Sequence, residues 1–245
     1  MERTPTGWLA SGTLQRVPWG RSVAAVVALG SAVGETLVAL LPTSGATTST
    51  STNLAGEPRD TLTFVTAPLP ADAVAPAPAG VNADWLRRRG ALVRAVQIAG
   101  GLEQILDLGV EYAQQRTQFG RPLGNFQVIQ HQLVQLAGET STARAAADLA
   151  LRIVGGANEQ FAIAAAKARA SAAVAPAAAI AHQVHGAIGF TQEHRLQLST
   201  RRLWAWRDEF GSEAYWNTQL GRMALDAGPN SFWPALAVSH VKQGE

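Results

Sequence analysis

Residues 159–186 read EQFAIAAAKARASAAVAPAAAIAHQVHG, and this alanine-rich run is long enough for about seven turns of helix. Gly186 stands where a helix commonly ends, and Pro176 predicts a kink within the run. Because alanine side chains are small, other helices can approach such a helix closely. The run therefore predicts one member of a closely packed helical bundle.

Three further helices are predicted around this one. Apolar residues at helical spacing predict a helix from Trp85 to about Gln115 and another from about Phe126 to Val154, which the glycines at 155 and 156 end. A last helix is predicted to begin near Gly211 and to end at Asp226. Four helices joined by short loops favour an antiparallel four-helix bundle.

The first part of the chain has a different pattern, in which short apolar runs alternate with turn-rich stretches. The apolar runs at 23–29, 36–41 and 61–66 predict strands of a small β domain that is incomplete by itself. Residues 43–53, nearly all Thr, Ser, Gly and Ala, are predicted to form a mobile loop.

The composition changes near residue 80. Residues 67–80 carry prolines at 68, 70, 76 and 78, so they are predicted to form an extended linker and not a helix. The predicted fold class is therefore α+β. Residues 1–80 form a partial β domain with a proline-rich linker, and residues 81–245 form a helical bundle.

Composition excludes several classes of site. Of the 245 residues, 47% are hydrophobic and 16% are charged, which is typical of a globular protein. The chain has no cysteine, which excludes a disulfide framework, a thiolate nucleophile, a zinc ribbon and an iron–sulfur site. A formal charge of +2 with scattered basic residues argues against nucleic acid as a partner.

One apolar stretch, Ser22–Leu41, has the composition of a signal peptide or a membrane span. Glu35 within it, the glycines at 30 and 34, and its β-branched residues favour two buried strands around a Gly-Ser-Ala-Val-Gly turn. On this interpretation the chain is predicted to be soluble and cytoplasmic, with no membrane partner.

Three histidines near the end of the alanine-rich run are the first candidates for a metal site. His182 and His185 share a helical face and His194 follows them, but no carboxylate in register completes a ligand set, so no metal is predicted. The run His185–Gly189 could also cradle a phosphate. Because it follows a helix and not a strand, a helix cap explains it equally well.

Two further segments resemble the signatures of one family. The segment Arg116-Thr-Gln-Phe-Gly-Arg-Pro-Leu, followed by Phe126-Gln-Val-Ile-Gln-His, is similar to a signature of the acyl-CoA dehydrogenases. The segment Gln183-Val-His-Gly-Ala-Ile-Gly-Phe-Thr-Gln-Glu-His194 resembles the second signature, and it begins 67 residues after Arg116, close to the interval in the family. The resemblance is strong over residues 84–222 and loose before them.

This resemblance implies the domains and the cofactor. The β segment would be part of the family's middle domain, the bundle would be its C-terminal domain, and the family's N-terminal helical domain would be absent. In that family FAD is bound between two subunits, so FAD is the implied cofactor. The implied cofactor-binding residues are Arg116, Gln118, Phe119, Gln127, Gln183, Val184, His185, Gly186, Ala187 and Ser212.

The chemistry of these residues suits FAD. Arg116 offers a fork of donors to a pyrophosphate, Phe119 an apolar wall, and Gln127 a hydrogen bond. Gly186 permits close approach of the backbone. Ala187 replaces the second glycine of the signature, and Ser212 stands where the family usually has a threonine beside the flavin.

The sequence departs from the family at the catalytic base. The family's reaction removes the α-proton of an acyl-CoA thioester with a glutamate, and the β-hydrogen leaves as hydride to the flavin. That glutamate usually lies 27 residues after the glutamine of the second signature, which is Phe210 here. In a smaller branch it lies 26 residues before the arginine of the first signature, which is Gly90. Glu209 is the only nearby candidate catalytic residue, and a surface or interface carboxylate is the favoured interpretation.

The resemblance therefore implies a subunit of a heteromeric, FAD-dependent acyl-CoA dehydrogenase, similar to assemblies of actinobacterial steroid or specialised-metabolite pathways. A full-length acyl-CoA dehydrogenase-like partner, in an α2β2-type complex, would hold the acyl-CoA and supply the base, and an electron-transfer flavoprotein is an admissible electron acceptor. Three alternatives stay open: a self-sufficient desaturase that uses Glu209, a flavin monooxygenase of the same fold, and a flavin-free scaffold subunit. Retention of Arg116, Gln127 and Gln183 argues against the scaffold.

Overall fold

A computed structural model of the chain describes residues 1–230. The chain divides into two compact units, one comprising Met1–Leu86 and one that begins at Arg87. This boundary lies six residues beyond the one predicted at residue 80, inside the first helix. The first unit consists mainly of strands and the second mainly of helices, so the α+β class is confirmed.

The first unit contains seven strands in its described residues, all in antiparallel pairs. They are β1 (Glu2–Thr4), β2 (Gly7–Pro18), β3 (Ala25–Ala32), β4 (Glu35–Pro42), β5 (Ala46–Ser49), β6 (Arg59–Pro70) and β7 (Val74–Pro76). One sheet has the order β1-β2-β6-β5 and the other β3-β4-β7. Buried side chains from both sheets, such as Leu37, Leu62 and Phe64, form one core.

The apolar stretch Ser22–Leu41 forms a hairpin, as predicted, but strand β3 contains no buried residue, so the prediction of two buried strands was wrong in part. Strands β3 and β4 pair from Ala25 with Pro42 to Ala32 with Glu35. Val33 and Gly34 form the turn, with φ of 48° and 83°. Positive φ at both central residues is the geometry of the two-residue turns that match the twist of a hairpin.

Two predictions for this unit were wrong in part. Residues 46–49 of the predicted mobile loop form β5, which pairs with β6, because threonines suit an exposed strand. Residues 67–70 and 74–76 of the predicted linker belong to β6 and β7. The prolines are tolerated there because β5 reaches only Phe64 of β6, so residues 67–70 are paired on one side only.

The second unit is built on helices. They are α1 (Ala83–Gln115), α2 (Gln127–Arg152), α3 (Glu159–His185), α4 (Leu196–Asp208) and α5 (Glu213–Ala227), with a short hairpin of β8 (Thr117–Gln118) and β9 (Arg121–Pro122) after α1. Four of these five helices were predicted. Helix α4 was not, because only Leu196, Thr200, Leu203 and Ala205 of its polar sequence are buried.

Helix α3 lies at the centre of this unit and packs against α2, α4 and α5. Nine of its thirteen alanines are buried, which agrees with the close approach of other helices that its sequence predicted. The stretch Glu159–Phe190 is long and apolar enough to cross a membrane by length and composition alone. However, 61% of its most apolar window is buried inside the unit, as in a core helix.

Candidate functional site

The first signature forms an exposed turn after α1. Strands β8 and β9 pair through Thr117 with Pro122 and Gln118 with Arg121, and Phe119 and Gly120 connect them with φ of 53° and 78°. Positive φ is uncommon for a bulky residue, and here it turns the Phe119 ring outward, where 91% of the residue is exposed. An aromatic ring this exposed is available to a ligand or a partner.

Polar side chains of the first signature are also exposed and could contact a ligand. Arg116 is exposed, and its guanidinium has no hydrogen-bond or ion-pair partner within residues 1–230. Its backbone is fixed, because its N–H donates to the Tyr112 carbonyl at 2.9 Å and its carbonyl accepts from Leu123 N at 2.8 Å. Gln118 and Gln127 are exposed as well. The turn therefore presents a positioned set of donors.

The second signature forms the end of α3. Gly186 ends the helix with φ of 61°, a conformation that favours glycine, and its N–H donates to the carbonyls of His182 and Gln183. Gln183 and Ala187 are exposed, whereas the side chains of Val184 and His185 are buried. Any contact of those two residues with a cofactor would therefore use backbone groups.

The fold brings the two signatures to the same end of the helical unit. The Tyr112 ring, one turn before Arg116 on α1, stacks on the His185 ring with centroids 4.7 Å apart and an interplanar angle of 24°. The carboxylate of Glu111 accepts from Arg195 at 2.9 Å, which joins the end of α1 to the segment after the second signature. The last turn of α1, after which the first signature begins, thus packs against the end of α3.

The histidines form a packed cluster near this region. His185 is buried, its Nδ1 lies 2.7 Å from the Ala181 carbonyl, and its ring meets that of His194 at 4.8 Å. His182 stacks on Phe190 at 4.5 Å, and its Nε2 lies 3.1 Å from Thr200 Oγ1. Burial lowers the pKa of both His182 and His185 below the usual value. Within residues 1–230, no group of three His, Cys, Asp or Glu side chains is arranged to hold a metal ion.

The two alternative positions of the family's base lie next to each other. A Cβ built on Gly90 would meet the Phe210 ring at 2.2 Å from Cδ1 and 2.4 Å from Cε1. Phe210 has φ of 59°, and Trp216 Nε1 donates to its carbonyl at 3.2 Å. The ring therefore fills the space over Gly90, so that both positions contribute to one apolar contact.

Glu209 takes part in an ion pair. Its carboxylate contacts the guanidinium of Arg94, and 16% of its side chain is exposed. Arg94 lies one turn after Gly90 on α1, is buried, and stacks over Trp206 with 5.6 Å between its Cζ and the ring centroid. The pair therefore holds Glu209 against α1, close to the Phe210 contact but engaged with a cation.

Lys167 makes a set of buried hydrogen bonds that were not predicted from the sequence. It is fully buried on α3, and its ammonium donates to Ser171 Oγ, the Arg207 carbonyl and the Gly211 carbonyl at 2.8, 2.5 and 3.0 Å. A lone lysine within an alanine-rich run was the available signal, since lysine is almost never fully buried without partners. Ser212, expected beside the flavin, caps α5 by accepting from Tyr215 N at 3.4 Å.

Comparison with known families gives a match over most of the helical unit. The sequence profile of the family described as "Acyl-CoA dehydrogenase, C-terminal domain" matches residues 88–224. A similar characterised protein is the acyl-CoA dehydrogenase IpdE2 of Mycobacterium tuberculosis, which is 38% identical over 112 residues. That alignment covers 46% of this chain and 34% of IpdE2, so it spans about a third of the relative's length.

Solved structures extend the likeness to the β unit. The ChsE4–ChsE5 complex from Mycobacterium tuberculosis has a TM-score of 0.82 at 22% identity, over 93% of this chain and 62% of that chain. A glutaryl-CoA dehydrogenase from Mycobacterium smegmatis, solved in complex with FADH2, has a TM-score of 0.80 at 21% identity, over 91% and 59%. At this level of identity the likeness shows the fold alone.

Proposed function

Since the chain belongs to the acyl-CoA dehydrogenase family, we propose that it is the non-catalytic subunit of a heteromeric, FAD-dependent acyl-CoA dehydrogenase. In this proposal the chain contributes flavin-binding and assembly elements. A full-length partner of the same family holds the acyl-CoA and supplies the catalytic glutamate. The enzyme desaturates the thioester between its α and β carbons.

The contact between Phe210 and Gly90 carries this proposal. Removal of the α-proton requires a general base within hydrogen-bond reach of that proton. A phenyl ring and a glycine cannot accept a proton, and the ring fills the space that a longer side chain at position 90 would enter. Glu209 is the nearest carboxylate in sequence, and its pair with Arg94 would have to open before it could act as a base.

The exposed signatures fit FAD. The guanidinium of Arg116, which has no partner within residues 1–230, suits a pyrophosphate, because its planar fork of donors matches phosphate oxygens. Phe119 offers an exposed ring. Apart from its own chain neighbours, no atom of the described residues lies within 4 Å of a Cβ built on Gly186, so the backbone there is open to a ligand. Gln118, Gln127 and Gln183 add exposed amides. We expect Val184, His185 and Ala187 to contribute through the backbone.

The chain's own residues would bind and orient, and they would move no proton. Bound FAD supplies the acceptor of the hydride. Arg116 neutralises charge on the cofactor, Phe119 excludes water from one side of it, and Ser212 is held by the cap of α5 at a fixed place in the loop after α4. Proton abstraction falls to the glutamate of the partner subunit.

Assembly follows from the same division of roles. ChsE4–ChsE5, which this chain resembles in fold, is a complex of two different chains. We expect an α2β2-type heterotetramer in the cytoplasm, with an electron-transfer flavoprotein as a candidate acceptor and no nucleic-acid or membrane partner. Exposed apolar side chains on the helical unit, such as Val128 and Val134, would be covered in the complex.

Co-purification tests this proposal. The chain would be co-expressed with each full-length acyl-CoA dehydrogenase-like chain of the same genome, and the complexes analysed for flavin spectrum, flavin per heterodimer and mass by sedimentation. The proposal predicts poor solubility or aggregation of the chain alone, and a stable 2:2 complex that contains FAD. A well-behaved monomer that gains nothing from any partner, or a chain that oxidises acyl-CoA alone, would contradict it.

A further inference from the structure

Three hydrogen-bond partners surround the side-chain nitrogen of Lys167, which is the number of N–H groups on an ammonium. The side chain is fully buried on α3, and Nζ donates to Ser171 Oγ and to the carbonyls of Arg207 and Gly211. Ser171 Oγ itself donates to the Arg207 carbonyl at 3.1 Å. An ammonium donates one N–H to each of these acceptors, whereas a neutral amine has only two N–H groups. The neutral form would keep the contact with Ser171 only by accepting from its hydroxyl, which would then release the Arg207 carbonyl.

The two carbonyls lie on either side of Glu209 and Phe210, which lie between the end of α4 and the start of α5. Arg207 lies in the last turn of α4, where unpaired carbonyls concentrate negative charge and favour a cation. Gly211 lies four residues later with φ of 108°, and a Cβ there would come within 2.6 Å of Trp216 Nε1. Lys167 therefore bridges the two ends of the segment that contains Glu209 and Phe210.

The backbone between these two carbonyls is strained. Phe210 has φ of 59°, which is rare for an aromatic residue and persists only where the surroundings hold it. The Trp216 indole holds the Phe210 carbonyl, and Lys167 holds the carbonyl of the next residue. This conformation directs the Phe210 ring onto Gly90.

We propose that Lys167, as an ammonium, is the positioning residue of the turn 208–212, and that its three hydrogen bonds keep the side chain at position 210 over Gly90. The effect of Lys167 on the conformation of the turn does not depend on the proposed function. Its importance for catalysis rests on the proposed function, in which position 210 is the place of the family's base.

The electrostatic surroundings allow the charge to be removed by a moderate rise in pH. Burial lowers the pKa of Lys167 to about 8, against the opposing effect of Asp208 and Glu209. Arg94 on α1 and Arg207 on α4 lower it further. Ser171, the partner on the same helix, carries no charge.

The test follows the Phe210 contact directly by NMR on the full chain with ¹³C-labelled glycine, either alone or, if it aggregates, in complex with an unlabelled partner. Gly90 is assigned from Gly90→Ala. An aromatic ring against Gly90 shifts its α-proton signals upfield. In Lys167→Met we expect this shift to fall by more than half, and the Trp216 indole N–H to exchange with solvent at least about tenfold faster. Leu136→Ala, a buried truncation on α2, is the control of comparable instability, and it should leave both signals unchanged in the folded state.

The wild-type chain provides a second arm that does not depend on the folding of any variant. The Lys167 Cε signal and the Gly90 signals are followed together through alkaline pH, and we expect both to change with the same midpoint. The proposal is overturned if Lys167→Met keeps both wild-type signals, or if Lys167 titrates while the Gly90 signals stay constant. Because these readouts report only conformation, their failure leaves the flavin and partner proposals to their own tests.

Discussion

The ring of Phe210 lies over Gly90, so close that a Cβ built on Gly90 would come within 2.2 Å of its Cδ1. These residues, 120 positions apart in the chain, are the two at which the family resemblance places the catalytic glutamate. The fold brings both positions to one place, and there an aromatic ring replaces a carboxylate. On the proposed function, the ring therefore fills the space in which a catalytic carboxylate would stand.

The contact can be measured with a double-mutant cycle. Gly90→Ala should lower the free energy of unfolding by about 1–3 kcal/mol, because the new methyl group overlaps the Phe210 ring. In a Phe210→Ala background the same change should be neutral or stabilising, because the obstacle is gone. Denaturant unfolding of the four proteins gives the coupling energy.

Gly100→Ala is the matched control for this cycle. Gly100 lies on the same helix, and no described residue outside that helix's own backbone comes within 4 Å of its Cβ position. The change should therefore stabilise the fold by about 0.5–1 kcal/mol through the unfolded chain and helix propensity. Equal effects at Gly90 and Gly100 would show that no ring lies over Gly90.

Arg116 should matter for the flavin and not for the fold. Arg116→Ala removes an exposed guanidinium without a partner in the described residues, so unfolding free energy should change by less than about 0.5 kcal/mol. Loss of a charge-assisted bond to the pyrophosphate should weaken FAD binding in the complex by about 1.5–3 kcal/mol. The control is Arg222→Ala, which changes an exposed arginine on α5 and should retain wild-type flavin occupancy. If Arg116→Ala also retains wild-type flavin occupancy, the proposed role of Arg116 is wrong.

The histidine cluster should make the fold sensitive to mild acid. Burial lowers the pKa of His182 and His185 in the folded chain, so the unfolded chain takes up protons first as the pH falls below about 6.5. Stability should therefore be greatest above this pH and decrease from pH 7.5 to 5.5. His185→Phe, which keeps a ring against Tyr112, should reduce the decrease, while His131→Gln at an exposed site should not. Thermal unfolding at both pH values is the measurement.

Asp60 should determine how the stability of the β unit decreases at acidic pH. Its buried carboxylate accepts from the Arg21 guanidinium and from the backbone N–H of Arg21 and Ser51, and the Arg21 side chain above all lowers its pKa. Its contribution to stability is complete above the ordinary carboxyl pKa near 4 and is lost as the pH falls below it.

Asp60→Asn should therefore lower the melting temperature at neutral pH and flatten the acid limb of the stability curve. The control is Asp72→Asn, which changes an exposed carboxylate of the same unit. If both variants melt like the wild type at neutral pH, the buried pair with Arg21 contributes nothing to the fold.

The sequence predicted the elements whose patterns are local. The alanine-rich α3 and the β3–β4 hairpin carried their signals within their own residues. Helix α4 and strand β5 did not, because a mostly polar helix and a threonine strand are stabilised by the neighbours they pack on.

In the candidate site, too, some features follow from the local sequence and others depend on the folded structure. Arg116 and Phe119 are exposed just beyond the predicted end of the first helix, near Gln115. The contact of Phe210 with Gly90 depends on a positive φ at Phe210 and on the ammonium of Lys167, and neither can be read from residue spacing. The pair of Glu209 with Arg94 likewise requires the folded position of α1.

The most direct test of the central claim is the turnover of the assembled complex after Glu209→Gln. This change keeps an oxygen that can accept from Arg94 and removes only basicity, with Asp208→Asn in the same turn as the matched control. Turnover would be measured with an acyl-CoA that the wild-type complex oxidises, at equal flavin content and assembly. We predict a loss of less than about tenfold, below about 1.4 kcal/mol of barrier, and a collapse of turnover when the partner's glutamate is neutralised. A loss of about a hundredfold or more from Glu209→Gln alone, the cost of a missing general base, would show that this chain is the catalytic subunit.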